Sequence, residues 1–316
     1  MKVLVTGHKG YIGTIMVPML LDAGHSVVGL DSDLFQQCSF DDASLRSIPE
    51  IDKDVRDVEV SDLDDFEAVI HLANLSNDPL GNLNPDLTFE INHRASVRLA
   101  ELAKEAGVSR YLFSSSCSLY GAAGEDYVDE TADFNPVTPY GHAKVMAEED
   151  IRRLADDSFS PVYLRNSTAY GMSPRLRFDL VLNNLVAWAV SEGKILIKSD
   201  GSPWRPIVHI EDISRAFLAM LDAPRDHIHN EAFNVGRTSE NYQIREIAEI
   251  VGEVVPDCTV EFAEGASPDK RSYRVSFEKI ADRIPAFKPV WDARAGVEEV
   301  YKALKDRNVT ADDFEG

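Results

Sequence analysis

The first 165 residues alternate short apolar runs with amphipathic stretches. Lys2–Thr6, Ser26–Leu30, Ala68–Leu72, Arg110–Ser114 and Pro161–Arg165 have the length and composition of strands, and the segments between them mostly read as helices. This alternation predicts a parallel sheet covered on both faces, because each parallel crossover needs a helix-length connection. The longest crossover is predicted over Pro85–Ala106, where Leu87, Ile91, Ala95, Leu99 and Leu102 recur at helical spacing and Gly107 supplies a stop. Beyond Arg165 the pattern loosens. It predicts a helix near Leu180–Val190, a strand Ile195–Lys198, and a strand Pro206–Ile210 feeding a helix Glu211–Leu221. A strand Ala232–Val235, helices near Ile244–Val255 and Val297–Leu304, and a frayed tail Asp306–Gly316 complete the expectation. The fold class is α/β, a doubly wound parallel sheet with a smaller C-terminal α/β substrate lobe. The boundary is expected near Asn166, giving 1–165 and 166–316, with segments near 206–235 returning to the first lobe.

Composition narrows the partners. With 44% apolar and 27% charged residues over 316 positions the chain is ordinary globular material. Its 32 Lys plus Arg against 54 Asp plus Glu give a formal charge of −22, which disfavours nucleic acid and anionic membrane. An anionic small molecule then requires basic side chains gathered in one cleft. Cys38, Cys117 and Cys258 are widely spaced and odd in number, so no disulfide framework or metal site is expected and a reducing cytoplasm fits. No long apolar segment or cleavage-type signal precedes the first strand, and nothing directs the chain to a membrane.

The chemistry begins at Thr6-Gly7-His8-Lys9-Gly10-Tyr11-Ile12-Gly13, placed after a strand and before a helix. Gly7, Gly10 and Gly13 at this spacing permit a tight turn whose N–H groups approach a pyrophosphate at the positive end of the next helix. The sheet is therefore read as Rossmann-type, with Tyr11 and Ile12 in the phosphate-facing turn. Asp31 closes the second strand at the distance expected of a ribose-binding carboxylate, which favours NAD over its 2′-phosphorylated form. Asp54 and Val55 follow a third strand, where Asp54 could reach the adenine amino group. Tyr140 and Lys144 stand at i and i+4 on one helical face, and a neighbouring ammonium favours the phenolate a proton-abstracting tyrosine must form. Ser116, at the end of the serine strand, could hold a substrate oxygen.

These residues resemble the extended short-chain dehydrogenase/reductases, and within them the NAD-dependent nucleotide-sugar epimerases and dehydratases of the UDP-glucose 4-epimerase kind. The resemblance spans nearly the whole chain. Besides the glycine turn and the Tyr140/Lys144 pair, it is carried by His71-Leu72-Ala73, Asn92, Leu119-Tyr120-Gly121, Leu164-Arg165, Tyr170-Gly171, Trp204–Asp212, Phe233–Gly236 and Asp269–Tyr273. It implies a catalytic set Ser116, Tyr140 and Lys144. It implies a cofactor set in which Leu72, Ala73, Asn92 and Ser114 join the residues above, with NAD as the cofactor and no metal. On the substrate side it implies Ser116, Cys117, Ser118, Asn166 and Asn183, with Arg205 and Arg271 clamping a diphosphate bidentately. Arg175 and Arg177 read equally well as helpers or as a flexible basic loop. A homodimer paired through helices near Asn92–Ala106 and Pro139–Leu154 is also implied.

Departures from the family pattern set the subtype. Dehydratases of this family carry an Asp-Glu pair directly after the catalytic Ser or Thr, and here those positions are Cys117 and Ser118, neither a general acid near neutral pH. The expected activity is epimerisation of a nucleotide-diphosphate sugar with tightly held NAD. Tyr140 takes the hydroxyl proton, and a transient keto sugar turns over before hydride returns. A keto-sugar reductase with the same residues is the alternative, followed by a 4,6-dehydratase or a non-catalytic binding member. Loops around Ser76–Leu83, Ala122–Asp126 and Pro174–Asp179 are expected to shape the sugar pocket. Asn166-Ser167-Thr168 and His93–Ser96 depart from usual family runs, so an uncommon substrate is expected.

Overall fold

Val3, Leu4 and Val5 are completely buried, as a strand covered on both faces requires. The computed structural model describes residues 1–41, 45–76, 78–197, 199–262 and 271–314. Its strands are β1 (Lys2–Thr6), β2 (Ser26–Asp31), β3 (Glu50–Asp52), β4 (Ala68–His71), β5 (Arg110–Ser116), β6 (Ala122–Val128) and β7 (Ser160–Asn166). They continue with β8 (Thr168–Tyr170), β9 (Lys194–Ile197), β10 (Trp204–His209), β11 (Glu231–Val235), β12 (Asn241–Gln243), β13 (Thr259–Phe262) and β14 (Ser272–Val275). The helices are α1 (Gly13–Asp22), α2 (Asp78–Leu83), α3 (Pro85–Phe89), α4 (Ser96–Glu105), α5 (Pro139–Arg152) and α6 (Val181–Glu192). After them come α7 (Ile210–Asp222), α8 (Arg225–Ile228), α9 (Ile244–Val254), α10 (Glu278–Arg283) and α11 (Ala293–Asp306).

Among the described residues seven strands form one parallel sheet in the order β11-β7-β5-β4-β1-β2-β3. The chain leaves β1 toward β2 on one side and returns at β4 on the other, so the topological switch lies between β1 and β4, where ligands of open α/β sheets bind. β11 comes from the second half of the chain and pairs with β7, Phe233 opposite Leu164. β10 lies instead between β8 and β12. No helix among the described residues is long and apolar enough to cross a membrane.

Three expectations need correction. The crossover over 85–106 is not one regular helix: a wide π turn occupies Glu90–Ala95, and the Ser96 hydroxyl bonds back to the Asn92 carbonyl at 2.9 Å. Apolar spacing alone does not reveal such an inserted turn. The segment 122–126, expected as a loop, is part of strand β6, because it finds its partner in β14 far along the chain. The tail is docked as far as Phe314, whose ring stacks on Phe178 and meets Trp188 edge-on, both at 5.4 Å between centroids.

α5 carries charge into the core. Glu148, 1% exposed, accepts from Arg165 Nη2 at 2.7 Å and from the Ser115 hydroxyl at 2.5 Å. Arg165, 2% exposed, also donates to the Tyr120 hydroxyl at 3.0 Å and the Glu130 carbonyl at 3.3 Å. Every polar arm of this knot is answered, which a buried ion pair needs. Glu148→Gln leaves the guanidinium with its charge unopposed, and urea unfolding is expected to show a loss of about 3–5 kcal/mol. Pairing Glu148→Met with Arg165→Met should recover most of that loss.

Candidate active site

The glycine turn is shaped by close approach. Gly7 has φ +73°, and a Cβ there would lie 2.7 Å from the Ala73 nitrogen. A Cβ on Gly13 would meet the Gly7 carbonyl oxygen at 2.4 Å. Gly10 is exposed, and its Cβ would meet only the Gly7 oxygen, at 3.3 Å. The outer glycines therefore close the turn on β4 and on α1, while the middle one leaves an open cradle at the helix N-terminus that fits a pyrophosphate. Asp31 stands at the rim. Its carboxylate accepts from the Lys9 and Asp33 nitrogens, both at 2.9 Å.

Across the switch, Leu72 donates to the Thr6 carbonyl at 3.0 Å, and Ala73 donates to the Thr6 hydroxyl at 3.3 Å. Behind this loop Asn92, completely buried, brackets Leu75 by donating to its oxygen at 2.9 Å and accepting from its nitrogen at 2.8 Å. Asn92 therefore holds the loop from behind. Sequence reasoning missed Asn74, whose amide nitrogen and oxygen are both buried without a partner. Unanswered amide groups beside the cradle fit a polar ligand that answers them. The signal was present as a polar residue directly after the apolar Leu72-Ala73 strand end.

β5, β7 and α5 carry the residues expected to react. Thr138 caps α5 by accepting from Gly141 at 3.2 Å, which fixes the first turn bearing the half-buried Tyr140. Lys144, one turn on, is 1% exposed and donates to the Ser114 carbonyl at 2.5 Å. Its ammonium lies 5.7 Å from the Tyr140 ring centroid and 4.6 Å from that of Phe113. Burial pushes its pKa down to about 7, against the raising effect of Glu148. Ser116 ends β5 opposite Asn166 at the end of β7, and its hydroxyl accepts from Ser118 at 3.1 Å. Asn166 donates to the Ser114 hydroxyl at 3.0 Å, while its Oδ1 is buried without a partner.

Arg205 Nη1 donates to the Trp204 carbonyl at 2.8 Å and to the Arg271 carbonyl, so the Arg205 side chain lies against the backbone of Arg271. Of the motif containing Arg271, residues 269 and 270 lie outside the described residues, as does residue 77 of the expected sugar loop. Arg177 joins the lobes, donating to the Ser76 hydroxyl at 2.8 Å and to both oxygens of Asp179.

Several expected contacts are corrected. Cys117 is turned away from the site: it is fully buried in the core, and its thiol donates to the Arg165 carbonyl. Burial raises the thiol's pKa further from any acid–base role near neutrality. Asn183 is also fully buried, accepting from Gly171 and donating to the Tyr11 hydroxyl and the Arg177 carbonyl, so its amide braces loops rather than facing a ligand. The Tyr11 side chain is 7% exposed and donates to the Gly171 carbonyl at 2.7 Å, leaving its turn backbone as what it can offer a cofactor. Asp54 is not an open acceptor, because Arg56 occupies its carboxylate with three bonds at 2.8–3.0 Å, and Val55 is packed in the core. Arg175 is neither flexible nor turned to a diphosphate: 8% exposed, it donates to the carbonyls of Phe35 and Gln36.

A parallel sheet with a glycine cradle at its switch and a Tyr/Lys helix beside it defines a dinucleotide-binding α/β class. The chain belongs to the NAD dependent epimerase/dehydratase family, whose model matches residues 3–236, and NAD is its cofactor. It is 30% identical over 320 residues to the UDP-glucose 4-epimerase of Streptococcus mutans, with 92% of this chain and 93% of that one covered. It is 26% identical over 327 residues to UDP-glucuronic acid decarboxylase 1 of Arabidopsis thaliana, covering 100% of this chain and 72% of that one. Among solved structures, MoeE5 in complex with UDP-glucose and NAD superposes with a TM-score of 0.83 at 26% identity, over 98% of this chain and 100% of that one.

The Lys144 environment has a measurable signature. Its folded pKa lies below the ordinary 10.5, so between about pH 7 and 10.5 the unfolded chain binds more protons and stability rises with pH. Below pH 7 both states hold the proton and the folded one carries the full burial penalty. Denaturant unfolding across this range should show the rise in the unmodified protein, and Lys144→Met should remove it.

Proposed function

We propose that the chain is a nucleotide-sugar epimerase that keeps its NAD bound and inverts a hydroxyl-bearing carbon through a keto sugar. The observation that carries this reading is Lys144, bonded to the Ser114 carbonyl and 5.7 Å from the Tyr140 ring centroid, beside the strand end that carries Ser116 with no acid–base pair after it. The glycine turn and Asp31 hold the cofactor's phosphate and ribose end, and Ser114, Leu72 and Ala73 lie toward its other end. NAD, when bound, supplies the hydride acceptor and donor.

The chain's own groups do the rest. Tyr140 removes the proton of the sugar hydroxyl and returns it after inversion. Lys144, held against Ser114 and beside the tyrosine ring, stabilises negative charge on the phenol oxygen. The Ser116 hydroxyl hydrogen-bonds the reacting oxygen, with Ser118 setting its orientation. Arg205 and Arg271 hold the diphosphate, leaving the sugar as the mobile part. Dehydration lacks its acid and base, since Cys117 is in the core and Ser118 has an unactivated hydroxyl. A homodimer paired through α4 and α5 belongs to the same reading.

The test uses purified protein and a panel of UDP-hexoses. NAD is expected to copurify, and turnover should proceed without added nicotinamide. Tyr140→Phe should lower turnover by about 100- to 10,000-fold with NAD still bound. Undiminished turnover in that variant sinks the assignment, and consumption of added reduced cofactor in step with product makes the chain a reductase instead.

A further inference from the structure

The segment after β2 leaves the ribose-facing carboxylate Asp31 and is then fastened to the opposite lobe. Asp33 sits in the left-handed region at φ +47°, unusual for a residue with a side chain, and its amide bonds back to Asp31. Its carboxylate faces two cations, Lys9 Nζ at 3.4 Å and Arg175 Nη2 at 3.5 Å. Arg175 reaches across from the loop after β8 and donates to the Phe35 and Gln36 carbonyls at 3.1 and 2.7 Å. A few residues on, the Phe40 and Asp41 nitrogens donate to the Pro174 carbonyl at 2.8 and 3.2 Å. Arg307, at the end of α11, lies 4.4 Å over the Phe40 ring and pairs with Asp41 at 3.2 Å. The segment 33–41 is thus a strap, rooted beside the cofactor's ribose carboxylate and tied to the substrate lobe.

We propose that Arg175 is the residue that retains NAD, by latching this strap to the substrate lobe. The inference rests on the reading that Asp31 and the glycine turn seat the adenosine end of the cofactor. The argument is one of connection. In this inference the strap lies across the path of release from the rim, and it is bonded to a loop whose next arginine, Arg177, is bonded in turn to Ser76. Freeing the strap breaks charge-assisted bonds of a guanidinium that is only 8% exposed, which puts the barrier on dissociation rather than on encounter. Arg175 is a positioning residue in this scheme; it acts through the strap's backbone carbonyls and through Asp33. An epimerase that returns its hydride to the same molecule gains from such a latch, because a cofactor lost in mid-cycle strands the keto sugar.

The experiment measures release of NADH, preloaded on the full-length protein, by its fluorescence during a chase with excess NAD. Arg175→Gln is expected to release NADH about ten-fold faster or more, with Arg175→Lys intermediate because it keeps the charge but not the paired carbonyl contacts. Phe40→Ala combined with Arg307→Ala loosens the strap's far end without burying an unpaired charge, and should also speed release should Arg175→Gln fail to fold. Release rates within about two-fold of the unmodified protein in the folded variants overturn the latch. Rapid release by the unmodified protein would count against retained-cofactor epimerisation instead, while the variant-to-unmodified ratio would still decide the role of Arg175.

Discussion

An ammonium group is placed where water barely reaches it. Lys144 is 1% exposed, held by one backbone carbonyl and two aromatic rings, and the next residue on its helical face, Glu148, is already bound to Arg165. The arrangement sets a constraint on everything around it. Three charges lie between α5 and the sheet, and each is tolerable only while β5 and β7 hold their register, because Ser114, Ser115 and Arg165 supply the partners. The same register sets Ser116 opposite Asn166 at the strand ends. Stability and chemistry therefore share one set of contacts. The first turn of α5, which carries Tyr140, is fixed by the Thr138 cap.

The C-terminal edge of the sheet is where these constraints become a site. Thr6 pairs with His71 across the switch, and His71, fully buried, bonds Thr6 at 2.7 Å and the Ser96 hydroxyl at 2.9 Å. Burial holds its pKa down at about 3, so the imidazole stays neutral and acts as a bridge between β1, β4 and the crossover. The glycine turn, the Leu72–Leu75 loop and the π turn are thereby braced together, with Asn92 as the clamp. A wide turn at this place moves Asn92 into reach of Leu75 while Ser96 covers the Asn92 carbonyl, an instance of helix irregularity at a functional position.

Much of this was legible in the chain because the signals are local. The strands of the first half, the glycine turn, Asp31 and the Tyr140/Lys144 spacing all follow from period, φ preference and charge within a few residues. What the sequence concealed depends on partners far away. Strand β6 needs β14, about 150 residues later, and the docked tail needs Phe178 and Trp188. The same holds for the direction a side chain faces. Cys117, Asn183, Tyr11 and Asp54 stand at positions where the family resemblance implies ligand contact, yet each side chain is turned toward protein: into the core, a neighbouring loop or an arginine. Family position predicts the neighbourhood of a residue, and packing decides whether its polar atoms remain open.

The global charge of −22 and an anionic substrate are compatible for a reason of range. At physiological ionic strength fields between exposed charges fade over about 8 Å, so most surface carboxylates act weakly on a ligand inside a cleft. Groups that line the cleft are screened far less. Arg205 is 8% exposed, and its Nη1 donates to the Trp204 carbonyl at 2.8 Å and to the Arg271 carbonyl. Arg177 is paired with Asp179, and Arg175 with Asp33 and two carbonyls. Arg175 and Arg177 thus fasten distant chain segments to one another, and diphosphate recognition by Arg205 and Arg271 belongs to the proposed function. A guanidinium committed to carbonyls and carboxylates, as those of Arg175 and Arg177 are, is costly to divert to an anion, because each charge-assisted bond it gives up leaves an acceptor to be satisfied anew.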